Sequence, residues 1–199
     1  MDELERDVRR SVLLGAYVRA WGMPSKRTVA RRAGDTVEVY SFPASATSGM
    51  NHYATVGVSA SGRERSPGAL ATWEFCIVTP PDNAGTSDDR VTSLLLDVMS
   101  YSLRSDTRVV AGETIPPSLL LPEEWNARAL LIDDPRGEPE WLANVHVGVQ
   151  HVRLLWLVPI HADERTLILE HGIDAFDEAE AASEWSLADP KRPSFLVKS

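Results

Sequence analysis

The sequence predicts an α+β fold, a mostly antiparallel central sheet flanked by helices. Three observations carry this expectation. Strand-like apolar runs at 37–42, 52–60 and 70–79 follow one another through polar connectors, the pattern of an antiparallel meander. Residues 154–158 form an unbroken apolar run with Trp156 at its centre, short enough to be a strand buried on both faces. That run feeds directly into a helical pattern that begins at about Ala162 and must pack on the sheet.

Taken in order, residues 2–21 carry Leu4, Val8, Val12 (or Ser11), Leu14 and Val18 at helical spacing with charges between them, so an amphipathic helix is expected with that row inward. Gly22 and Pro24 end it. The following SKRTVARRAGD reads as a basic, flexible stretch, and residues 1–34 as a helix plus basic linker. Residues 43–51 are small and turn-forming, and SGRERSPG at 61–68 is a polar turn. PPDNAGTSDD at 80–89 is a loop ending on a capping signal. It opens a helix over 90–103 whose inner side is Val91, Leu94, Leu95, Val98, Met99 and Ser102.

Residues 107–111 predict a short strand, and 112–125, with three prolines, an irregular excursion. Residues 129–133 predict a strand, 134–140 a turn through Pro135 and Gly137, and 145–149 with 152–158 a hairpin turning at Gln150 and His151. Pro159 lacks an N–H and should stop strand pairing. In the helix that follows, Asp163 and Glu164 suit the first turn, and Leu167, Ile168 and Leu169 supply the packing surface. His171 and Gly172 close it. A short acidic helix spans 173–182, and 183–199 is an extended tail docked by Trp185 and Phe195.

At 199 residues with 43% hydrophobic and 25% charged residues, the chain suits one globular domain. The net charge of −9 argues against nucleic acid, whose phosphates need a basic face. The charge is uneven: residues 1–34 sum to +4, 35–160 to −8 and 161–199 to −5. The start, MDELERDVRR, has no apolar core of a signal peptide, and no apolar run reaches the roughly 20 residues that span a bilayer. A cytoplasmic protein without membrane contact is expected. Cys76 is the one cysteine, so there is no intrachain disulfide, and its apolar setting suits a buried side chain.

Chemistry leaves few marks. None of His52, His146, His151, His161 and His171 has metal-ligand spacing, and His161 and His171 bracket a helix about 15 Å long. No G-x-S-x-G, G-x-G-x-x-G or P-loop occurs, so no catalytic, cofactor-binding or metal residues are assigned. Asp133 and Asp134 precede Pro-Arg-Gly and read as a turn. Glu74 lies inside an apolar strand between Trp73 and Phe75, facing either solvent or a buried partner.

Several blocks in order resemble the suppressor of fused family, over about residues 35–180. They are HYATVGVSA (52–60), WEFCIVTP (73–80), VTSLLLDVMSYSLRSDTRVVAGETI (91–115), ALLIDDP (129–135) and LLWLVPIHADE with its closing HG (154–172); the DPKRPS ending is similar to those of bacterial members. The resemblance implies a suppressor-of-fused-like domain over 35–182 that is not an enzyme. In animal members this module is half of a larger protein that restrains a transcription factor. The second half is missing from these 199 residues, so the groove between halves is not carried over. Bacterial single-domain members imply an immunity or regulatory protein of a toxin–antitoxin kind, and the excess of Arg over Lys suits a bacterial origin. The expected partner is a basic toxin domain, and the chain is expected to be a monomer or a homodimer. Candidate contacts are the acidic loop positions Asp82, Asp88, Asp89, Asp133, Asp134, Glu138 and Glu140. Two rival readings stand beside this. One is an enzyme with a general acid/base pair from Glu74 and His52, near Tyr53. The other is a structural protein that dimerises through an exposed strand edge.

Overall fold

Strand alternation and helix spacing resolve, in a computed structural model, into one sheet with helices on both faces. The structure describes residues 3–32, 35–45, 49–60, 72–81, 88–102, 109–116 and 121–197. In chain order the elements are α1 (Glu3–Trp21), β1 (Lys26–Arg32), β2 (Asp35–Phe42), β3 (Asn51–Val56), a 3-10 turn (Val58–Ala60), β4 (Trp73–Thr79) and α2 (Asp88–Ser102). They continue with β5 (Thr114–Ile115), β6 (Ala129–Asp133), α3 (Glu140–Ala143), β7 (Asn144–Val147), β8 (Gln150–Ile160), α4 (Ala162–His171) and α5 (Ile173–Ala181). The strand order is β1-β2-β3-β4-β8-β6-β5, with β7 also on β8. Among the described residues only β4 and β8 run parallel; the other pairs are antiparallel.

β8 is the pivot. One of its edges pairs with β4 from Trp73↔Arg153 to Cys76↔Trp156. The other edge is shared, first by β7 from Val147↔Gln150 to Asn144↔Arg153 and then by β6 from Asp133↔Trp156 to Ala129↔Ile160. Residues 154–160 are all buried, as an unbroken apolar run requires. Alternation divides them between two cores. Leu154, Trp156 and Val158 join Leu13, Tyr17 and Trp21 of α1, together with Ile168 of α4 and Phe176 of α5. Leu155 and Leu157 join Val91, Leu94, Leu95, Val98 and Met99 of α2. All six inward positions expected of α2 are buried. Each large apolar side chain so covered contributes about 1.5–3 kcal/mol.

Five expectations are corrected. In α1 the buried row is Arg9, Leu13, Tyr17 and Trp21; of the expected row Leu14 and Val18 pack partly against the core, whereas Leu4, Val8 and Val12 face outward. The helix has apolar residues on two sides, and the bulkier aromatic row wins the sheet. The basic stretch after α1 is a strand: all seven residues, Lys26 to Arg32, pair with β2, and as the outermost strand of the sheet order it can carry charged side chains. The second strand stops at Val56, since Gly57 turns the chain at φ 115°, and a Cβ there would meet Thr36 O at 2.7 Å. Pro159 does not end β8: beyond Trp156 the strand is paired on the β6 side alone, the edge setting in which proline is tolerated. The hairpin turns at Gly148–Val149, with Gly148 at φ 60°, so Gln150 and His151 lie in β8.

Smaller differences follow from packing. A two-residue β5 and the single-turn α3 form within stretches expected to be irregular. Of the expected strand at 107–111, Val109–Ala111 are not in a strand and the rest lies outside the described residues, as does the turn at 61–68. In α4, Ile168 is buried while Leu169 is 60% exposed, and Glu164 is buried too. The last segment docks through Arg192, and through Phe195, whose ring is tilted against Phe176 at 5.7 Å, while Trp185 remains half exposed.

Candidate protein-interaction surfaces

Glu74 settles on the buried side. It is fully enclosed, and its carboxylate accepts hydrogen bonds from Thr55 Oγ1 (2.7 Å), Ser59 Oγ (2.7 Å) and the backbone N–H groups of Gly57 (3.0 Å), Val58 (3.2 Å) and Ser59 (2.9 Å). The turn after β3 points consecutive N–H groups at one place, and β4 delivers a carboxylate to it. Every lone-pair direction is occupied by the fold itself.

His52 is engaged elsewhere. Its Nδ1 lies 3.1 Å from Met50 O and its Nε2 3.0 Å from Glu138 Oε1, while its ring stacks on Trp21 at 4.6 Å. Trp21 Nε1 donates to the same Glu138 oxygen at 3.0 Å. In the register, His52 sits opposite Val78 and Ala54 opposite Cys76, so the strands keep His52 away from Glu74. The acid/base pair of the enzymatic rival is not assembled. Tyr53, on the opposite face, donates to Asp88 at 2.8 Å; burial, then the Asp88 carboxylate, pushes its phenol well up. Cys76 is also held as the thiol, its pKa raised by burial and then by the Glu138 charge.

The acidic candidates do not form one surface. Asp82 lies outside the described residues. Asp88 and Asp89 open α2, where Asp89 is exposed and takes Lys26 of β1 at 2.5 Å. Glu138 is half-buried on the opposite, α1 face of the sheet, against His52 and Trp21. Asp133 and Asp134 end β6. Asp133 accepts from Arg136 Nε at 2.7 Å, and the same guanidinium reaches Asp177 (2.6 Å) and Glu180 (2.5 Å) of α5. Asp134 takes Arg153 at 2.7 Å, and Glu140 is exposed at the start of α3. The fold thus brings Asp133, Asp134, Glu138 and Glu140 together along one connection and sets Asp88 and Asp89 apart.

Sequence reasoning missed three polar centres. Glu38 on β2 gathers Arg10 (2.9 Å), Arg27 (2.5 Å) and the Tyr40 hydroxyl. Burial alone would raise its pKa, yet those three donors outweigh burial and hold it below its ordinary value. Arg9 is 3% exposed and donates to Ser59 O at 3.4 Å and to Gln150 Oε1. It borders a cleft of about 220 Å³ in which Arg6, Arg9 and Arg10 are balanced by Glu3, Asp7 and Glu38, so the cleft has no net sign. Glu164 and Arg192 form a buried bidentate pair at 2.5 and 2.9 Å, with the N–H groups of His161 and Phe195 also on the carboxylate. Their separation of 28 residues leaves no local signal. The α1 row at Leu4, Val8 and Val12 was visible in the sequence but assigned to the wrong side.

His146 and His151 face each other across β7 and β8, with ring centroids 4.1 Å apart. Among the described residues, no group of three or more His, Cys, Asp or Glu side chains is placed to hold a metal ion. No helix among them is long and apolar enough to cross a membrane.

Comparison with known proteins bears on these surfaces. The family model for suppressor of fused protein (SUFU) matches residues 33–193. The fold is similar to a suppressor of fused homologue from Neisseria gonorrhoeae, with a TM-score of 0.73 and 17% identity, covering 96% of this chain and 98% of that one. It is similar to a chain of the Sufu–Fu complex, at TM-score 0.67 and 15% identity, covering 94% and 91%. Drosophila Suppressor of Fused matches at TM-score 0.66 and 16% identity, covering 96% of this chain but 51% of that one. No curated protein matches the sequence.

Proposed function

The chain belongs to the suppressor of fused family, and from that membership we propose that it works by binding another protein, as a cytoplasmic immunity or regulatory protein whose partner is a basic toxin domain. One observation carries the reading: its fold follows, over 91% of that chain, a protein solved in a complex named for its two components. The net charge of −9 supports a basic partner, since complementary charge speeds encounter and disfavours wrong partners. The contact surface of the proposal is acidic, built from Asp133, Asp134, Glu138 and Glu140 with Asp88 and Asp89 as a second patch, and Asp82 is a further candidate from the sequence alone. Within it the exposed acids Asp89, Asp134 and Glu140 make the contacts, while the half-buried Glu138 fixes the loop through Trp21 and His52. Binding would occlude the partner's basic site without catalysis, a reading supported by the structural partners that already occupy Glu74 and His52.

A tagged pull-down from the native host under low-salt washing, read by mass spectrometry, tests this. A stoichiometric basic partner is expected, and its absence overturns the reading. The triple change Asp89→Lys, Asp134→Lys and Glu140→Lys should then weaken that complex by at least about tenfold, chiefly by slowing association. Unchanged affinity removes the acidic surface from the interface.

A further inference from the structure

Helix α1 has two apolar sides, and the sheet uses one. Leu13, Tyr17 and Trp21 are buried against it, while Leu4, Val8 and Val12 are 73%, 50% and 37% exposed. Residues four apart stack along one helix face, so these three make a continuous outward ridge. Gly15 extends the ridge as a gap, where a Cβ would meet nothing within 4 Å. Beside the ridge the β7–β8 turn raises Val149, 98% exposed. Val149, Val147 and Gly148 face Leu4 and Val8 across an open groove of about 460 Å³. Contiguous exposed apolar surface of this kind marks an interaction site.

We propose that this face is the interface of a homodimer in which two copies of α1 pack antiparallel and cross at Val12. The surface is complementary to itself. Glu5 lies toward one end of the helix and Arg19 toward the other, with the Arg19 guanidinium held 4.3 Å over the Trp141 ring. Antiparallel pairing sets Glu5 of each copy beside Arg19 of the other, twice by symmetry, whereas parallel pairing would oppose like charges. It also sets Val8 of each copy over the Gly15 gap of the other and runs the second copy's helix past the Val149 groove. The other route to a homodimer, through the free edge of β1, is disfavoured. Antiparallel pairing of KRTVARR with itself would face Lys26 with Arg32 and Arg27 with Arg31. The net charge of each copy opposes association over long range, but at about 0.15 M salt that repulsion is screened beyond about 8 Å and the apolar contact decides.

Sedimentation equilibrium of the full chain at about 0.15 M salt tests the proposal. Twice the 21.9 kDa chain mass is expected, dissociating in about the micromolar range that suits a small interface. The double change Val8→Asp and Val12→Asp should weaken the dimer at least about 100-fold, while the far-UV spectrum and low-concentration melting stay unchanged because both positions face solvent. Glu5→Arg alone should weaken it, and adding Arg19→Glu should restore it. A monomer at about 100 μM overturns the proposal. So does a dimer that survives the two aspartates. A charge swap that fails to restore overturns the antiparallel register. Should the aspartates instead release a captured host protein from a monomeric chain, the face belongs to that partner and the homodimer is wrong.

Discussion

At the scale of the residue, Glu74 shows how a charge is kept inside an apolar strand. Three backbone donors and two hydroxyls replace its water, so burial costs little while the set is complete. Removing the carboxylate orphans all five. Glu74→Ala is therefore expected to cost about 3–5 kcal/mol, and Glu74→Gln about 1–3 kcal/mol, because an amide turns an N–H toward donors. Urea unfolding measures both; a loss below about 0.5 kcal/mol in either variant would show that the turn stands without its anion. Glu164 and Arg192 follow the same logic and pin the C-terminal segment to α4. That Glu74 stands inside an apolar run was legible in the sequence. Its partners were not, because Gly57–Ser59 reach it only when β3 and β4 align.

At the scale of the element, α1 is the test case. Its apolar spacing was legible, and every described residue of the expected range is helical. Its orientation was not. A helix with apolar residues on two sides is rotated by whatever it packs on, and the sheet selects the row whose aromatic members bury the most surface, Tyr17 and Trp21, which stack on each other at 5.1 Å. Leu13→Ala is expected to cost about 2–5 kcal/mol, and Leu4→Ala to stay within about 0.5 kcal/mol, both read at low protein concentration where self-association plays no part. The reverse order would mean that α1 is turned about its axis. For α2 the sequence left less choice: the inner row it encodes, Val91, Leu94, Leu95, Val98, Met99 and Ser102, is buried throughout.

At the scale of the whole molecule, stability should depend on carboxylates that the fold keeps ionised. Glu38 ties α1, β1 and β2 together through Arg10 and Arg27, and its pKa lies below the ordinary 4.5. A depressed folded pKa stabilises fully above the unfolded value and loses that contribution as pH falls through the folded one. The gap in stability between the wild-type chain and Glu38→Gln should therefore hold at and above pH 4.5 and close on further acidification. Denaturant titrations along a pH series check it, and a gap that widens toward acid would reverse the assignment. The sequence by itself determined what short windows encode: the meander, the inner row of α2, the run at 154–158 buried on both faces, the helix stop at Gly172 and the family. These rest on period, caps and turn residues, whose physics acts within a few positions. Only the tertiary structure decided the parallel pairing of β4 with β8, the recruitment of KRTVARR as an edge strand, the rotation of α1 and the partners of Glu38, Glu74 and Glu164. Each depends on which edge, face or donor remains open once distant segments have packed, and that choice is made across the sheet, beyond the reach of any local pattern.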